Sequence, residues 1–192
     1  MKHTIQNIIA ESVSVKQKLM ADEAAMSQIE QVANKMIESY RAGGKTLFAG
    51  NGGSAADAQH LAAELVNRFT FDHDGIPALA LTTDSSVVTS ISNDYNFDVL
   101  FSRQVKALGN AGDVFIGIST SGNSTNILQA FDVCREKKIF TVGLTGETGG
   151  KMAGKCDVCI CVPSTVTARI QEAHILIGHI LCGLVEDSLF KH

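Results

Sequence analysis

The sequence lacks the features that would point to large or charged partners. It has no run of basic residues, and 16 Lys and Arg against 20 Asp and Glu give a net charge of -4. This balance argues against nucleic acid or an anionic membrane surface as the main partner. We see no apolar stretch of membrane-spanning length, and the N-terminus lacks the apolar core of a secretory signal. We therefore expect a small ligand, no membrane partner and a cytoplasmic location.

The five cysteines lack the arrangement of a complete zinc site. The spacing from Cys156 to Cys159 resembles half of such a site, but no second pair with that spacing occurs. We therefore expect these residues at alternating core and surface positions of a strand, with their thiols reduced.

Alternating apolar runs and helical patterns predict an α/β fold. Short apolar runs indicate five strands, at residues 46–49, 78–81, 114–118, 141–144 and 158–162. Amphipathic patterns indicate helices at residues 4–19, 22–42, 97–107, 124–137 and 167–190, with another beginning at Ser54. This alternation predicts a three-layer fold, a five-stranded parallel sheet flanked by helices. At 192 residues we expect a single domain, with N-terminal helices in 1–42 and an α/β core in 45–192.

The first and last helices are rich in apolar residues. Ile5, Ile8 and Ile9 lie on a helix that one chain does not need for its own core. Packing against another subunit and covering the sheet within the chain are two open alternatives. The last helix is predicted to bury one apolar side, formed by Ile170, Ala173, Ile177, Ile180, Leu181 and Leu184.

The stretch from Gly50 to Arg68 joins a glycine turn to a helix with reactive side chains. Gly52 and Gly53 allow left-handed backbone angles and close approach to a ligand, and Ser54 can cap the helix. Four reactive residues follow at intervals of three, four and four and therefore share one side of the helix: Asp57, His60, Glu64 and Arg68. Such a turn suits an anionic or hydroxyl-rich ligand.

A second polar turn follows the third predicted strand. Residues 119–124 read Ser-Thr-Ser-Gly-Asn-Ser before a predicted helix, so that hydroxyls and amides meet at the positive end of the helix dipole. This favours a phosphate site, although capping of the helix by Ser121 or Ser124 is an alternative. The lysine of a Walker loop is absent, which disfavours a nucleoside triphosphate. The polar segment 82–94 is predicted to form a loop at the same edge of the sheet.

The last helix supplies two further polar candidates. Gln171 and His179 are eight residues apart, slightly over two helical turns, so both can point into one cleft. His174 points elsewhere, and we interpret it as a structural histidine.

Together these segments resemble the sugar isomerase (SIS) domain family, and within it the phosphoheptose isomerases. The resemblance rests on the turn at 50–54, the His60 and Glu64 pair, the loop at 119–124 and the Ala-Arg-Ile-Gln-Glu segment at 168–172. It covers nearly the whole chain. It implies a flavodoxin-like fold and an aldose-ketose isomerase that interconverts sedoheptulose 7-phosphate and D-glycero-D-manno-heptose 7-phosphate. That reaction is the entry to ADP-heptose for the lipopolysaccharide core, and the resemblance also implies a homotetramer with active sites at subunit interfaces.

The resemblance assigns roles to individual residues. Catalysis would depend on Glu64 and His179, which fit the base and acid that enediol chemistry requires. One Zn²⁺ ion per subunit would be bound by His60, Glu64, Gln171 and His179. The phosphate would be held by Ser119, Thr120, Ser121 and Ser124. The other substrate contacts would come from Asn51, Gly52, Gly53, Ser54, Glu64, Arg68, Asn93, Asp94 and Gln171.

Two rival functions stay open at this point. One is a non-catalytic regulator with the same fold, like the paralogue that binds the replication initiator DnaA, and the other is isomerisation of a different phosphosugar. The paralogue lacks the acid and the last histidine, whereas Glu64 and His179 are both present here. Some members of the family have an acidic residue where this chain has Ala168, so any role of that acid is absent.

Overall fold

The computed structural model describes residues 1–191, and a single parallel sheet organises them. Its five strands are β1 Thr46–Gly50, β2 Ala78–Ala80, β3 Val114–Ile118, β4 Phe140–Thr145 and β5 Val158–Cys161. Their order across the sheet is β2-β1-β3-β4-β5, and every neighbouring pair is parallel. The predicted five-stranded parallel α/β fold is therefore confirmed.

Seven α-helices flank the sheet in this part of the chain. They are α1 Lys2–Met20, α2 Glu23–Arg41, α3 Gly53–Val66, α4 Ser85–Asp94, α5 Leu100–Leu108, α6 Thr125–Lys137 and α7 Thr167–Phe190. Short 3-10 turns occupy Phe97–Val99 and Met152–Gly154. Helices α1, α2, α3 and α7 cover one face of the sheet, while α5 and α6 cover the other.

Burial on both faces explains why the central strands read as continuous apolar runs. All five residues of β1 and all five of β3 are buried. Phe48 and Ile116 pair in register and pack on the α7 side, whereas their neighbours Leu47 and Phe115 pack on the α6 side. Burying each such side chain contributes about 1.5–3 kcal/mol.

Residues 85–94 form helix α4, so the prediction of a loop over the whole segment 82–94 is wrong. The Asp84 carboxylate caps the helix by accepting a hydrogen bond from the Val87 amide at 3.0 Å. Val88 and Ile91 then pack on the α5 and α6 face at helical spacing. The Asp84 cap and the packing of Val88 and Ile91 account for a helix in a segment of polar composition.

Helix α7 buries a narrower stripe than the sequence predicts. Ile170, Ile177 and Leu181 are buried, but Ile180 and Leu184 are 39% and 44% exposed. By length and composition α7 is also apolar enough to cross a membrane, contrary to the expectation that no stretch would be. Its buried stripe lies in the core between α2 and α3, which accounts for its apolar character.

Helix α1 contacts the rest of the chain mainly through its C-terminal half. Val15 and Leu19 are buried in the core, whereas Ile5, Ile8 and Ile9 are about half exposed, at 53%, 49% and 58%. The N-terminal half of α1 therefore does not cover the sheet.

Candidate active site

Helices α3 and α7 lie side by side and bring the reactive residues together. His60 Nε2 is 3.0 Å from His179 Nε2 and 3.2 Å from Glu64 Oε1. One ligand atom from each of the three residues lies within 4.8 Å of the other two. His60 is half exposed and Glu64 is about one quarter exposed, so solvent and small molecules can reach the group. We refer to His60, Glu64 and His179 as the α3–α7 triad.

Asp57 lies on the same side of α3, one turn before the triad. Burial raises the pKa of its carboxyl group, while the nearby His60 and His179 rings act to lower that pKa. Its Oδ2 atom is buried and has no hydrogen-bond partner among residues 1–191. Asp57 therefore adds a partly desolvated negative charge behind the triad.

Two residues of the predicted helix face are placed differently. Helix α3 ends at Val66, so Arg68 lies beyond the helix and is exposed, and its expected position beside Glu64 is wrong. Ser54 is the second residue of α3 and is buried, and Gly52 takes the capping position without a side-chain hydrogen bond. The substrate contacts assigned to Arg68 and Ser54 stay predictions.

The segment after α3 is held in place by a buried carboxylate on α7. Glu186 is 1% exposed, and its Oε1 accepts hydrogen bonds from the Phe69 and Thr70 amides at 2.8 and 2.9 Å. It also pairs with the Thr70 hydroxyl and with His73 Nε2, the latter at 2.9 Å. The Phe69 ring in turn packs against the His179 ring, with centroids 5.5 Å apart. This contact could not be predicted from the sequence, in which Phe69 follows Leu61 and Leu65 at the four-residue spacing of an apolar helix face.

The glycine turn and Gln171 meet at the N-terminal end of α3. Gly52 has a positive φ of 56°, as predicted, whereas Gly53 is helical. Gly53 matters for a different reason, since a side chain there would collide with the Gln171 amide. Gln171 lies about 12 Å along α7 from His179, so the structure places it at the turn rather than with the triad. Its role as a metal ligand stays a prediction.

The loop from Ser119 to Ser124 presents unsatisfied donors at the start of α6. Ser124 occupies the capping position, but no side chain in residues 1–191 caps the first amides of the helix. Instead the Ser124 hydroxyl pairs with that of Ser119 at 2.8 Å, and Ser121 accepts from the Asn123 amide. The capping alternative is therefore wrong for both serines, and the helix amides stay available for an anion.

A pair of amide side chains ties this loop to the glycine turn. Asn51 and Asn126 exchange two hydrogen bonds, at 3.0 and 2.9 Å, and Asn126 is buried. Both turns follow central strands that are neighbours in the sheet, β1 and β3, so their ends lie at one edge. Sequence analysis missed Asn126, although its position just inside α6 could have suggested it.

A cavity of about 250 Å³ opens beside the serine loop. It is lined by Thr120, Ser121, Gly146, Glu147, Thr148, Ser164, Thr165 and Ile170. Sequence analysis missed the segments 146–148 and 164–165, although both follow predicted strands and the strand-end rule could have found them.

Asn93 and Asp94 lie at the far end of α4, where both are exposed. The Asn93 amide donates to the Asp94 carboxylate at 2.9 Å. The ten-residue helix carries them about 15 Å from its start, away from the strand ends. Their contact with sugar stays a prediction.

His174 is fully buried, and its Nε2 donates to the Thr145 carbonyl at 3.1 Å. Burial lowers the pKa of this ring to about 4, so the neutral form is the stable one near pH 7. The prediction that it points away from the cleft is consistent with this contact.

Residues 10–146 match the family model for the SIS domain. The chain is 59% identical over 192 residues to a phosphoheptose isomerase of Aneurinibacillus thermoaerophilus, covering 100% of this chain and 97% of that protein. It is 56% identical to phosphoheptose isomerase 2 of Campylobacter jejuni, covering 97% and 92% of the two chains. The fold also matches the structure of a phosphoheptose isomerase from Neisseria gonorrhoeae, with a TM-score of 0.90, 44% identity and coverage of 98% and 99%.

Proposed function

The chain belongs to the SIS domain family, and we propose that within it the chain is a phosphoheptose isomerase that converts sedoheptulose 7-phosphate to D-glycero-D-manno-heptose 7-phosphate. Full-length relatives with that name, at 50–59% identity, support this substrate class. The observation that carries the proposal is the α3–α7 triad, because acid-base groups from two helices meet at a position that solvent can reach. The reaction is an aldose-ketose isomerisation.

The triad fits a zinc ion by its donor chemistry. Two imidazole nitrogens and one carboxylate oxygen are a common zinc donor set, and three protein ligands leave a position for substrate. When bound, zinc would polarise the substrate carbonyl and stabilise the negative charge that develops on its oxygen. We assign His60, Glu64 and His179 as ligands. Gln171 lies against Gly53, about 12 Å along α7 from His179, so its role as a fourth ligand stays a prediction.

Glu64 and His179 are suited to the two proton transfers of the reaction. Glu64 takes a proton from C1 of the ketose while His179 protonates the carbonyl oxygen on C2, which gives an enediol. A carboxylate or imidazole that holds zinc cannot make these transfers through the same atom, so each group would have to leave the ion before its step. Return of the proton to C2 and loss of the proton from the C1 hydroxyl then produce the aldehyde. Glu64 is held on a rigid helix 3.2 Å from His60, so its carboxylate is already oriented before substrate binds.

The serine loop is suited to hold the phosphate. Its hydroxyls and the uncapped amides of α6 are suited to bind an anion, and the 250 Å³ cavity gives space beside Thr120 and Ser121. Asn51 is oriented by Asn126 at the turn beside this loop and is suited to a sugar hydroxyl.

The exposed apolar residues favour a homotetramer with active sites at subunit interfaces. Ile5, Ile8 and Ile9 on α1 and Ile180 and Leu184 on α7 are all exposed. Ile180 is adjacent to His179, so a subunit that covers it would also close the triad from solvent. In a bacterial cytoplasm the product would enter ADP-heptose synthesis for the lipopolysaccharide core.

The decisive experiment is a substrate panel with the zinc-loaded full chain. Sedoheptulose 7-phosphate, fructose 6-phosphate and ribulose 5-phosphate are each incubated with enzyme, and aldose formation is followed by NMR, with and without a chelator. We expect turnover of the seven-carbon substrate, loss of activity with chelator and recovery with zinc. Turnover of only the shorter substrates would instead show an isomerase of another phosphosugar, and no turnover of any would indicate a regulator.

A matched pair of variants ties the activity to the triad. Glu64→Gln should abolish most turnover, whereas Glu30→Gln, an exposed carboxylate on α2, should not change it. Equal activity in the two variants would contradict the assignment of Glu64.

A further inference from the structure

Three of the five thiols form a cluster on the edge strand, well away from the α3–α7 triad. Cys159 Sγ is 3.9 Å from Cys161 Sγ. A side-chain hydrogen bond also joins Cys159 to Cys156, so Cys159 lies between the other two. All three side chains are only partly buried, whereas Cys134 and Cys182 are isolated in the core. We refer to Cys156, Cys159 and Cys161 as the thiol cluster.

Strand geometry and one glycine bring these thiols together. Val158 and Ile160 of β5 are buried on the α7 side, so Cys159 and Cys161 point to the opposite face. Gly143 of β4 pairs with Cys159, and the space of its missing side chain is bordered by the sulfurs of Cys156 and Cys159. The expectation that these cysteines alternate between core and surface is wrong, because Cys159 and Cys161 share one face of β5 and Cys156 precedes the strand.

From this geometry we propose that the thiol cluster is a binding site for a soft, thiophilic d10 cation such as Cu⁺. Two sulfurs that share one ion, each at about 2.3 Å, stand roughly 3.8–4.0 Å apart. The 3.9 Å between Cys159 and Cys161 matches that spacing. Cys156, which is hydrogen-bonded to Cys159, is the candidate for a third thiolate, and soft thiolate ligands select such ions.

A disulfide between Cys159 and Cys161 is less compatible with the same geometry. Residues two apart on a strand have Cα atoms about 6.6 Å apart with parallel side chains, whereas a disulfide requires Cβ atoms about 3.5–4.5 Å apart. Joining Cys159 to Cys161 would therefore bend β5, while a bridging ion would not.

The surroundings also suit a cation. Asp157 lies close enough to Cys156, and Asp22 close enough to Cys161, to act electrostatically on these thiols. Met152 lies in the same small space beside Gly143 and provides a soft thioether neighbour.

The test is Cu⁺ binding by the reduced full-length protein under anaerobic conditions. Cu⁺ is supplied as its acetonitrile complex in competition with a chromophoric chelator, and the protein is first loaded with one equivalent of zinc. We expect each chain to bind one equivalent of Cu⁺ tightly and to release protons as it does so. Cys159→Ser should weaken the affinity by about tenfold or more because it removes the central sulfur.

Single buried cysteines provide the matched controls. Cys134→Ala and Cys182→Ala each remove one thiol from the core and should bind Cu⁺ like the wild type. Far-ultraviolet circular dichroism and the metal-free melting temperature establish that each variant is folded. Equal affinity of wild type and Cys159→Ser, or an equal loss in Cys134→Ala, would overturn the proposal. Loss of two free thiols without bound copper would show a disulfide instead, which would also overturn it.

Discussion

Replacing Glu186 with glutamine tests how the segment after α3 is anchored. The wild-type carboxylate is 1% exposed and accepts hydrogen bonds from the Phe69 and Thr70 amides, the Thr70 hydroxyl and His73. Burial alone would raise the pKa of this carboxyl group. The hydrogen bonds to Thr70, Phe69 and His73 outweigh burial and lower the pKa from 4.5 to about 2. The charged form is therefore the one that the fold stabilises.

The size and pH range of the effect follow from that pKa. A fall from 4.5 to about 2 corresponds to roughly 3 kcal/mol, at about 1.4 kcal/mol per tenfold change in proton affinity. Because the folded pKa is the lower one, this stability is fully present above pH 4.5 and is lost as pH falls through about 2. Glu186→Gln should therefore lower the free energy of unfolding at pH 7 by about 3 kcal/mol, and should flatten its decline below pH 4.5.

Urea unfolding at several protein concentrations measures the change, since dissociation of subunits would add a concentration dependence. Asp187→Asn is the control on the next residue, because Asp187 is half exposed and pairs only with Lys191 among residues 1–191. We expect that control to change stability by less than about 0.5 kcal/mol. The reasoning fails if Glu186→Gln and Asp187→Asn unfold with the same free energy.

Zinc affinity gives a second readout of the same variant. The Phe69 ring packs against the His179 ring, so loosening the Phe69 amide should let His179 move. Zinc binding measured by competition should weaken in Glu186→Gln and stay unchanged in Asp187→Asn. Unchanged zinc affinity in both would show that this segment stabilises the fold without positioning His179.

Three further predictions concern the site and the core. Glu64→Gln and His179→Gln should each lower kcat by about a hundredfold or more in a folded protein, and near-normal turnover in either would remove it from the mechanism. Ser119→Ala should chiefly raise KM, because it removes contact with a non-reacting phosphate, and steady-state kinetics with an unchanged KM would place the phosphate elsewhere. The pKa of His174 is lowered to about 4 by burial, so its contribution to stability is present above pH 6.5 and is lost as pH falls towards 4. Urea unfolding of His174→Gln at a series of pH values should not show this loss of stability between pH 6.5 and 4. If the loss is unchanged in the variant, another group causes it.

The local pattern of apolar residues was sufficient to predict most of the strands and helices. The strand at Val114–Ile118 and the helix at Thr167–Phe190 begin and end where the sequence predicts. Period-2 and period-3.6 patterns are set by residues within a few positions of one another, so they can be seen in the chain alone. The sequence did not predict helix α4 because its composition is polar. That composition is outweighed by the Asp84 carboxylate, which accepts a hydrogen bond from the Val87 amide, and by packing against α5 and α6.

Side-chain exposure was less predictable on the outer helices. Ile180 and Leu184 lie on the same helix as Ile177 and read as one apolar side, yet only Ile177 is buried. Which part of a wide apolar stripe faces the core depends on how the helix is rotated against its neighbours. Periodicity gives the stripe but not that rotation.

The sequence by itself determined the five strands and six of the seven described α-helices along the chain, and it identified both polar turns and the reactive residues of the α3–α7 triad. Tertiary structure alone decided that His60 and His179, 119 residues apart, lie 3.0 Å from one another. It also decided that Arg68 lies outside the helix and that Gln171 rests against Gly53. Hydrogen bonds and periodicity within a helix are local, whereas the docking of α3 on α7 results from packing across the sheet, which no short pattern records.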